Sequence, residues 1–302
     1  MRSTKARSSL ALVCVSVAAM VVAGCGSSDS SSTTASTSTG ITATKDATIA
    51  ATVPAKFSSA GTLSVATDAS YPPMESIKEG TKEIIGADVD LANAIAQVMG
   101  LKADIQNATF DAILPGLASG KYDIGMSSFS DNKEREQTVD FVTYLEAGTS
   151  FFGKKGGPQP DGLAGLCGLT VAVEKGTIQA DDATAQSKKC VDAGKEKVNL
   201  LVFPDQNGAN SAIISGRAQI SMADAPVAAY QVTKSNGQLV LVGKPYGVVP
   251  YGIAIPKNSG LADPILASVK NLIAGGQYAA ILKKWGLESD GITDPVINGA
   301  IN

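Results

Sequence analysis

The chain has 302 residues, with 25 Lys and Arg against 28 Asp and Glu, no histidine, and a formal net charge of -3. Lacking imidazole, it has no Ser-His-Asp or Cys-His machinery and no HExxH zinc helix, and its acidic balance argues against a nucleic-acid partner. No Gly-x-x-x-x-Gly-Lys-Ser/Thr phosphate loop occurs, and neither a cofactor nor a metal is expected.

At the start, Arg2, Lys5 and Arg7 precede an apolar run from Leu10 to Val22, followed by Ala23, Gly24 and Cys25. This is the layout of a secretory signal, too short to remain as a membrane span. A cysteine directly after small residues resembles the lipobox of bacterial lipoproteins, which implies removal of residues 1–24 and lipidation of Cys25. Loss of the three basic residues would take the formal charge to -6. From Gly26 to about Gly40 the chain is nearly all Ser and Thr, a solvated tether by composition. The lipidated cysteine and linker are assigned to 25–59, and a body of roughly 240 residues follows, enough for two lobes with cores of their own. Export also decides the cysteines. With Cys14 removed and Cys25 lipidated, Cys167 and Cys190 remain in a compartment that permits disulfides, and a bond between them is predicted.

Strands and helices alternate through the body. Thr62 to Ala66 reads as a strand, Asp88 to Met99 as a helix with Leu91, Ile95 and Val98 on one side and Gly100 as its stop, and Lys102 to Gln106 as a strand. Phe110 to Ala118 has helical spacing, although Pro115 argues against a regular helix. Tyr122 to Met126 returns as a strand and Phe141 to Lys155 is extended. Then come strand Thr170 to Val173, helix Gln179 to Ala185, strand Asn199 to Phe203, helix Gly208 to Ile214 and strand Gln219 to Met222. Two apolar helical stripes, Ile265 to Ile273 and Tyr278 to Trp285, close the body. The alternation predicts an α/β fold of mostly parallel sheets flanked by helices, with ligands at the carboxyl ends of the strands. The acidic pairs Asp88 with Asp90 and Asp181 with Asp182 suit helix starts better than acid-base chemistry.

Four segments in order carry a resemblance. Thr62-Leu-Ser-Val-Ala-Thr-Asp-Ala-Ser-Tyr-Pro-Pro-Met-Glu75, Ile85-Gly-Ala-Asp-Val-Asp-Leu-Ala92, Met126-Ser-Ser-Phe-Ser-Asp-Asn-Lys-Glu-Arg135 and Gly176-Thr-Ile-Gln179 resemble blocks of the family 3 solute-binding proteins, extracytoplasmic receptors of ABC importers for polar amino acids. The likeness runs from about Ala60 to Leu287. It implies a two-lobed fold of the type II periplasmic-binding-protein kind, with lobe 1 at 60–150 and 249–290, lobe 2 at 151–248, and a tail at 291–302. Two hinge strands, near Gly148 to Phe152 and Val248 to Gly252, would join the lobes and let them close. Met74 and Ala87 stand where the family usually has Phe.

A free amino acid brings a carboxylate and an ammonium, and each needs a partner once removed from water. The resemblance implies that Arg135 forks onto the carboxylate, because a planar guanidinium makes two parallel charged hydrogen bonds. It places Ser128, Phe129 and Ser130 around the same cage, with Ser128 supporting the ammonium. It adds Thr177 and the free amide of Ile178 at a helix start, puts Asp224 on the ammonium, and sets Tyr71, Phe110 and Asp68 around the side chain. Asp68 favours a cationic or amide side chain. Each residue also has a plain reading: Arg135 on an exposed charged helix face, Asp224 as a cap for a helix near Pro226, Tyr71 and Phe110 as core, and Asp68 as a turn residue. The expected protein is an extracytoplasmic, membrane-anchored monomer that binds a small amino acid, meets an ABC permease and catalyses nothing. A dehydratase acting on cyclohexadienyl substrates is the alternative on this fold.

Overall fold

A computed structural model describes residues 41–301. The signal, Cys25, the Ser/Thr tether to residue 40 and Asn302 lie outside the described residues. Among the described residues two short helices come first, α1 (Ala47–Thr52), capped by the Asp46 carboxylate, and α2 (Ala55–Ala60), which ends at Gly61 in the left-handed region. They occupy a stretch grouped by composition with the linker. Val53 and Phe57 are buried against the body, and two apolar anchors in a polar background are too few to give a helical period.

The chain continues through β1 (Thr62–Thr67), the short strands β2 (Ser70–Tyr71), β3 (Glu75–Ile77) and β4 (Ile84–Ile85), helix α3 (Ala87–Val98), β5 (Lys102–Asn107), α4 (Phe110–Ala118) and β6 (Ile124–Gly125). A 16-residue strand β7 (Val139–Lys154) leads to β8 (Thr170–Glu174), α5 (Ile178–Asp192), β9 (Asn199–Phe203), α6 (Gln206–Ser215), β10 (Ile220–Asp224) and α7 (Ala225–Lys234). An 18-residue strand β11 (Leu239–Pro256) returns the chain to α8 (Ala262–Ala274) and α9 (Gln277–Trp285).

One eight-stranded sheet runs in the order β5-β1-β6-β11-β7-β10-β8-β9, while β2, β3 and β4 form a small antiparallel sheet. β5, β1 and β6 are parallel, as are β10, β8 and β9, and the long antiparallel pair β7 and β11 joins the two groups. This is the two-lobed α/β arrangement, each lobe a mostly parallel sheet flanked by helices. The joining pair breaks register between Val242 and Tyr246 and again between Tyr246 and Val249. Irregular pairing there loosens the ladder where the chain passes between lobes. Each lobe has its own apolar contacts, around Leu63, Val65, Leu91 and Ile95 in the first and Val171, Val173, Ile220 and Met222 in the second.

Local differences from the sequence expectations have simple causes. α4 is a helix despite Pro115. The missing N–H costs one bond to the Asp111 carbonyl, and burial of Ile113 and Leu117 outweighs it. The strand at 122–126 shrinks to Ile124 and Gly125, because Gly125 pairs with Ala254 and the chain then turns into the serine block. α5 runs seven residues past the expected Ala185, to Asp192. Cys190 lies in that extension and is bonded to Cys167, with a Cα separation of 5.6 Å.

Candidate functional site

The carboxyl ends of β1, β8 and β10, the loop after β6 and the first turn of α5 converge between the lobes. Asp68, Tyr71, Glu75, Phe110, Ser127, Ser128, Ser130 and Arg135 line the site from the first lobe, and Glu174, Thr177, Ile178, Gln179 and Asp224 from the second. Of the residues expected here, Phe129 alone is absent from the lining. It lies one layer behind, stacked on Phe110 at 4.5 Å between ring centroids.

Arg135 is half-buried, and its guanidinium lies over the rings of Phe110 and Phe129 at 5.5 and 5.6 Å. One terminal nitrogen donates to the Ser130 carbonyl and the other crosses to the Gly176 carbonyl of the second lobe, each at 3.0 Å. This is not a solvated helix face. Gly176 has a φ of +81°, and a Cβ there would lie 3.0 Å from that of Asp111, so a residue with a side chain would push the lobes apart.

Asp224 occupies the N-cap position of α7, yet its side chain makes no capping bond. Instead it accepts from the Tyr71 hydroxyl at 3.0 Å and from Gln179 Nε2 at 2.8 Å, while its own N–H donates to Tyr71 Oη. Burial pushes its carboxyl up, opposed by the hydrogen bonds from Tyr71 and Gln179 and by the charge of Arg135. Tyr71 is therefore both a wall and a bridge between lobes. Thr177 caps α5 by accepting from the Ala180 N–H, and Ile178, the first residue of the helix, lines the site.

Asp68 accepts from the Phe110 N–H at 2.9 Å, starting α4. The same carboxylate lines the site between the lobes. Facing it from the end of β8 is Glu174, 2% exposed. Burial raises both carboxyls, and Glu174 goes well above the ordinary range, with Asp68 the next cause. Glu75 is also pushed well up, chiefly by burial and then by Asp88, whose carboxyl burial moves to about 6. Asp88 takes the Ser128 N–H at 2.9 Å and the Tyr144 hydroxyl at 2.8 Å. It thereby holds Ser128 at a φ of +52°, a conformation that costs energy for any residue but glycine. Ser128 Oγ, Glu75 Oε2 and Glu174 Oε1 are buried without a hydrogen-bond partner, and such atoms cost free energy until something meets them.

Glu174, Glu75, Ser127 and Gln179 escaped the sequence reading. Gln179 and Glu75 stood inside the quoted segments with no role attached. Glu174, closing Thr-Val-Ala-Val-Glu, reads as the polar end of a strand.

Residues 63–288 match the family model for bacterial extracellular solute-binding proteins, family 3. The chain belongs to that family. A curated relative, the arginine-binding protein ArgT of Corynebacterium glutamicum, is 36% identical over 251 residues, covering 83% of this chain and 82% of that one. The ABC transporter glutamine-binding protein GlnH of Bacillus subtilis is 31% identical over 208 residues, 67% and 73% of the two chains. Among solved structures, an ancestral arginine-binding protein bound to arginine aligns with a TM-score of 0.69 at 34% identity, covering 74% of this chain and 98% of that one. The relatives reported are amino-acid-binding proteins rather than enzymes.

Proposed function

We propose that this protein is the lipid-anchored binding component of an ABC importer and that its cargo is a free amino acid with a cationic side chain, arginine foremost. The observation that carries the cargo is the meeting of Asp68 and Glu174, one from each lobe, both buried and the latter with an unpartnered oxygen. A neutral amide brings no charge with which to draw two buried carboxyls into their ionised form, whereas a guanidinium does so and satisfies them with a fork of donors. The family member bound to arginine and the relative named for it support the same choice.

In this reading Arg135, the Ile178 N–H and the Ser130 hydroxyl take the ligand carboxylate, and Asp224 with Ser128 takes its ammonium. Tyr71 and Phe110 flank the aliphatic stem. The cavity between the lobes is about 10 Å³, room for one water, so an amino acid enters only when the lobes part along β7 and β11 and is then enclosed. Titration calorimetry with arginine, lysine, glutamine and glutamate tests the cargo: arginine is expected to bind most tightly. Preference for glutamine or glutamate, or no binding by any of the four, overturns it. Anchoring through Cys25 is tested separately by membrane fractionation, in which Cys25→Ala should move the protein into the soluble fraction.

A further inference from the structure

Beyond α9 the chain doubles back onto the edge of β7. Ile297 bridges Val142 antiparallel. Thr143 donates its N–H to the Val296 carbonyl and accepts the Val296 N–H on its hydroxyl, both at 2.9 Å. Asn298 donates its N–H to the Phe141 carbonyl, while its side-chain oxygen accepts the Phe141 N–H, each at 2.9 Å. Asn298 adopts a φ of +55°, which asparagine tolerates, and the next two amides then leave the strand. Gly299 donates to Asp131 Oδ2 at 2.7 Å and Ala300 to Glu136 Oε1 at 3.1 Å.

Asp131 and Glu136 bracket the segment that carries Arg135. Asp131 is fully buried, and its own N–H is fixed to the Pro250 carbonyl at 2.8 Å. Residues 296–300 line no part of the ligand cage, and their side chains carry no charge. Their hydrogen bonds to that segment are two backbone donors delivered to two carboxyl groups. A guanidinium must be held within about half an ångström to fork onto a carboxylate, and Arg135 sits on a loop whose only regular structure is a three-residue turn, Arg135–Gln137.

We propose that Val296 to Ala300 is a strap that positions Arg135 for the ligand carboxylate by gripping Asp131 and Glu136. The proposal rests on the reading of Arg135 as the carboxylate grip. The strap acts through Arg135 and touches no ligand, so it should matter only to ligands that carry a free carboxylate. The test compares arginine with argininamide, whose carboxylate is masked, by calorimetry on the wild type, Asp131→Ala and Asp131→Asn, with melting temperatures recorded for each. Asp131→Ala should weaken arginine binding about tenfold and leave argininamide unchanged. Asp131→Asn, which keeps an acceptor for the Gly299 N–H, should stay within about twofold of the wild type on both probes. Equal losses on both probes, or unchanged arginine binding, would overturn the strap. Should Asp131→Ala fail to fold, Ala300→Pro, which removes the N–H donated to Glu136 and also restrains the backbone at 299 and 300, is measured in the same way. Failure of the wild type to bind arginine would strike the cargo assignment alone. The strap is then read from amide exchange, which Asp131→Ala must accelerate about tenfold across residues 130–136 while sparing β9.

Discussion

At the scale of single residues, what separates a side chain turned into the cleft from one that only builds the fold is where its bonds go. Asp224 begins a helix and could have capped it. Its carboxylate turns instead to Tyr71 and Gln179, with Arg135 the cationic contribution to its environment. Arg135 in turn spends its donors on two carbonyls and its flat faces on two rings. Replacing it by alanine should weaken amino-acid binding about a hundredfold to a thousandfold, roughly 3 to 4 kcal/mol, because the ligand carboxylate would stay buried with its charge unmatched. Calorimetry on Arg135→Ala checks this, and unchanged affinity would remove the guanidinium from the site. Glu174 should govern selectivity rather than binding as such. Glu174→Gln leaves the guanidinium with Asp68 alone, so arginine should lose about tenfold, on the order of 1.4 kcal/mol, while glutamine holds or improves. An equal loss for both ligands would make Glu174 a general wall.

At the scale of elements, the disulfide ties the 3-10 turn Leu163–Leu166 to the far end of α5 across a sequence separation of 23. Closing a loop of that length restricts the unfolded chain by about 3 kcal/mol. Cys167→Ser with Cys190→Ser should therefore lower the unfolding free energy by that amount in urea titrations, with arginine affinity nearly intact because both cysteines lie outside the cage. A large loss of affinity would mean that α5 needs the bond to aim the Ile178 amide. The existence of these elements was legible where one period dominated. Leu91, Ile95 and Val98 mark α3, and the ordered blocks locate Arg135 and the start of α5, since each lies in a segment whose turn chemistry is local, while Asp224, outside those blocks, is placed only by the family resemblance. α1 and α2 were hidden because Val53 and Phe57 are anchored by tertiary packing, not by pattern. Glu174 was hidden because its partner, Asp68, lies more than a hundred positions earlier. Asp131 and Glu136 sit in a charged run that reads as a solvated face until the strap is seen to reach it.

At the scale of the whole molecule, the cleft gathers more acid than base. Asp68, Glu75, Glu174 and Asp224 face a single cation, Arg135, among the lining residues, and burial is the first cause raising each of the four carboxyls. A carboxyl raised on folding contributes stability that is present below its unfolded value near 4 and is lost as pH rises through the folded value. These groups therefore make the ligand-free protein less stable toward neutral pH, and a cationic ligand is most needed where they ionise. Binding of arginine should release protons and strengthen as pH rises from about 5 to 8. Calorimetry in buffers of different ionisation enthalpy should return different apparent heats, and the increase in melting temperature given by saturating arginine should be larger at pH 8 than at pH 5. A shift of the same size at both values, with heats independent of buffer, would mean that the carboxyls keep one protonation state throughout, and the acidic excess would then have no part in choosing a cation.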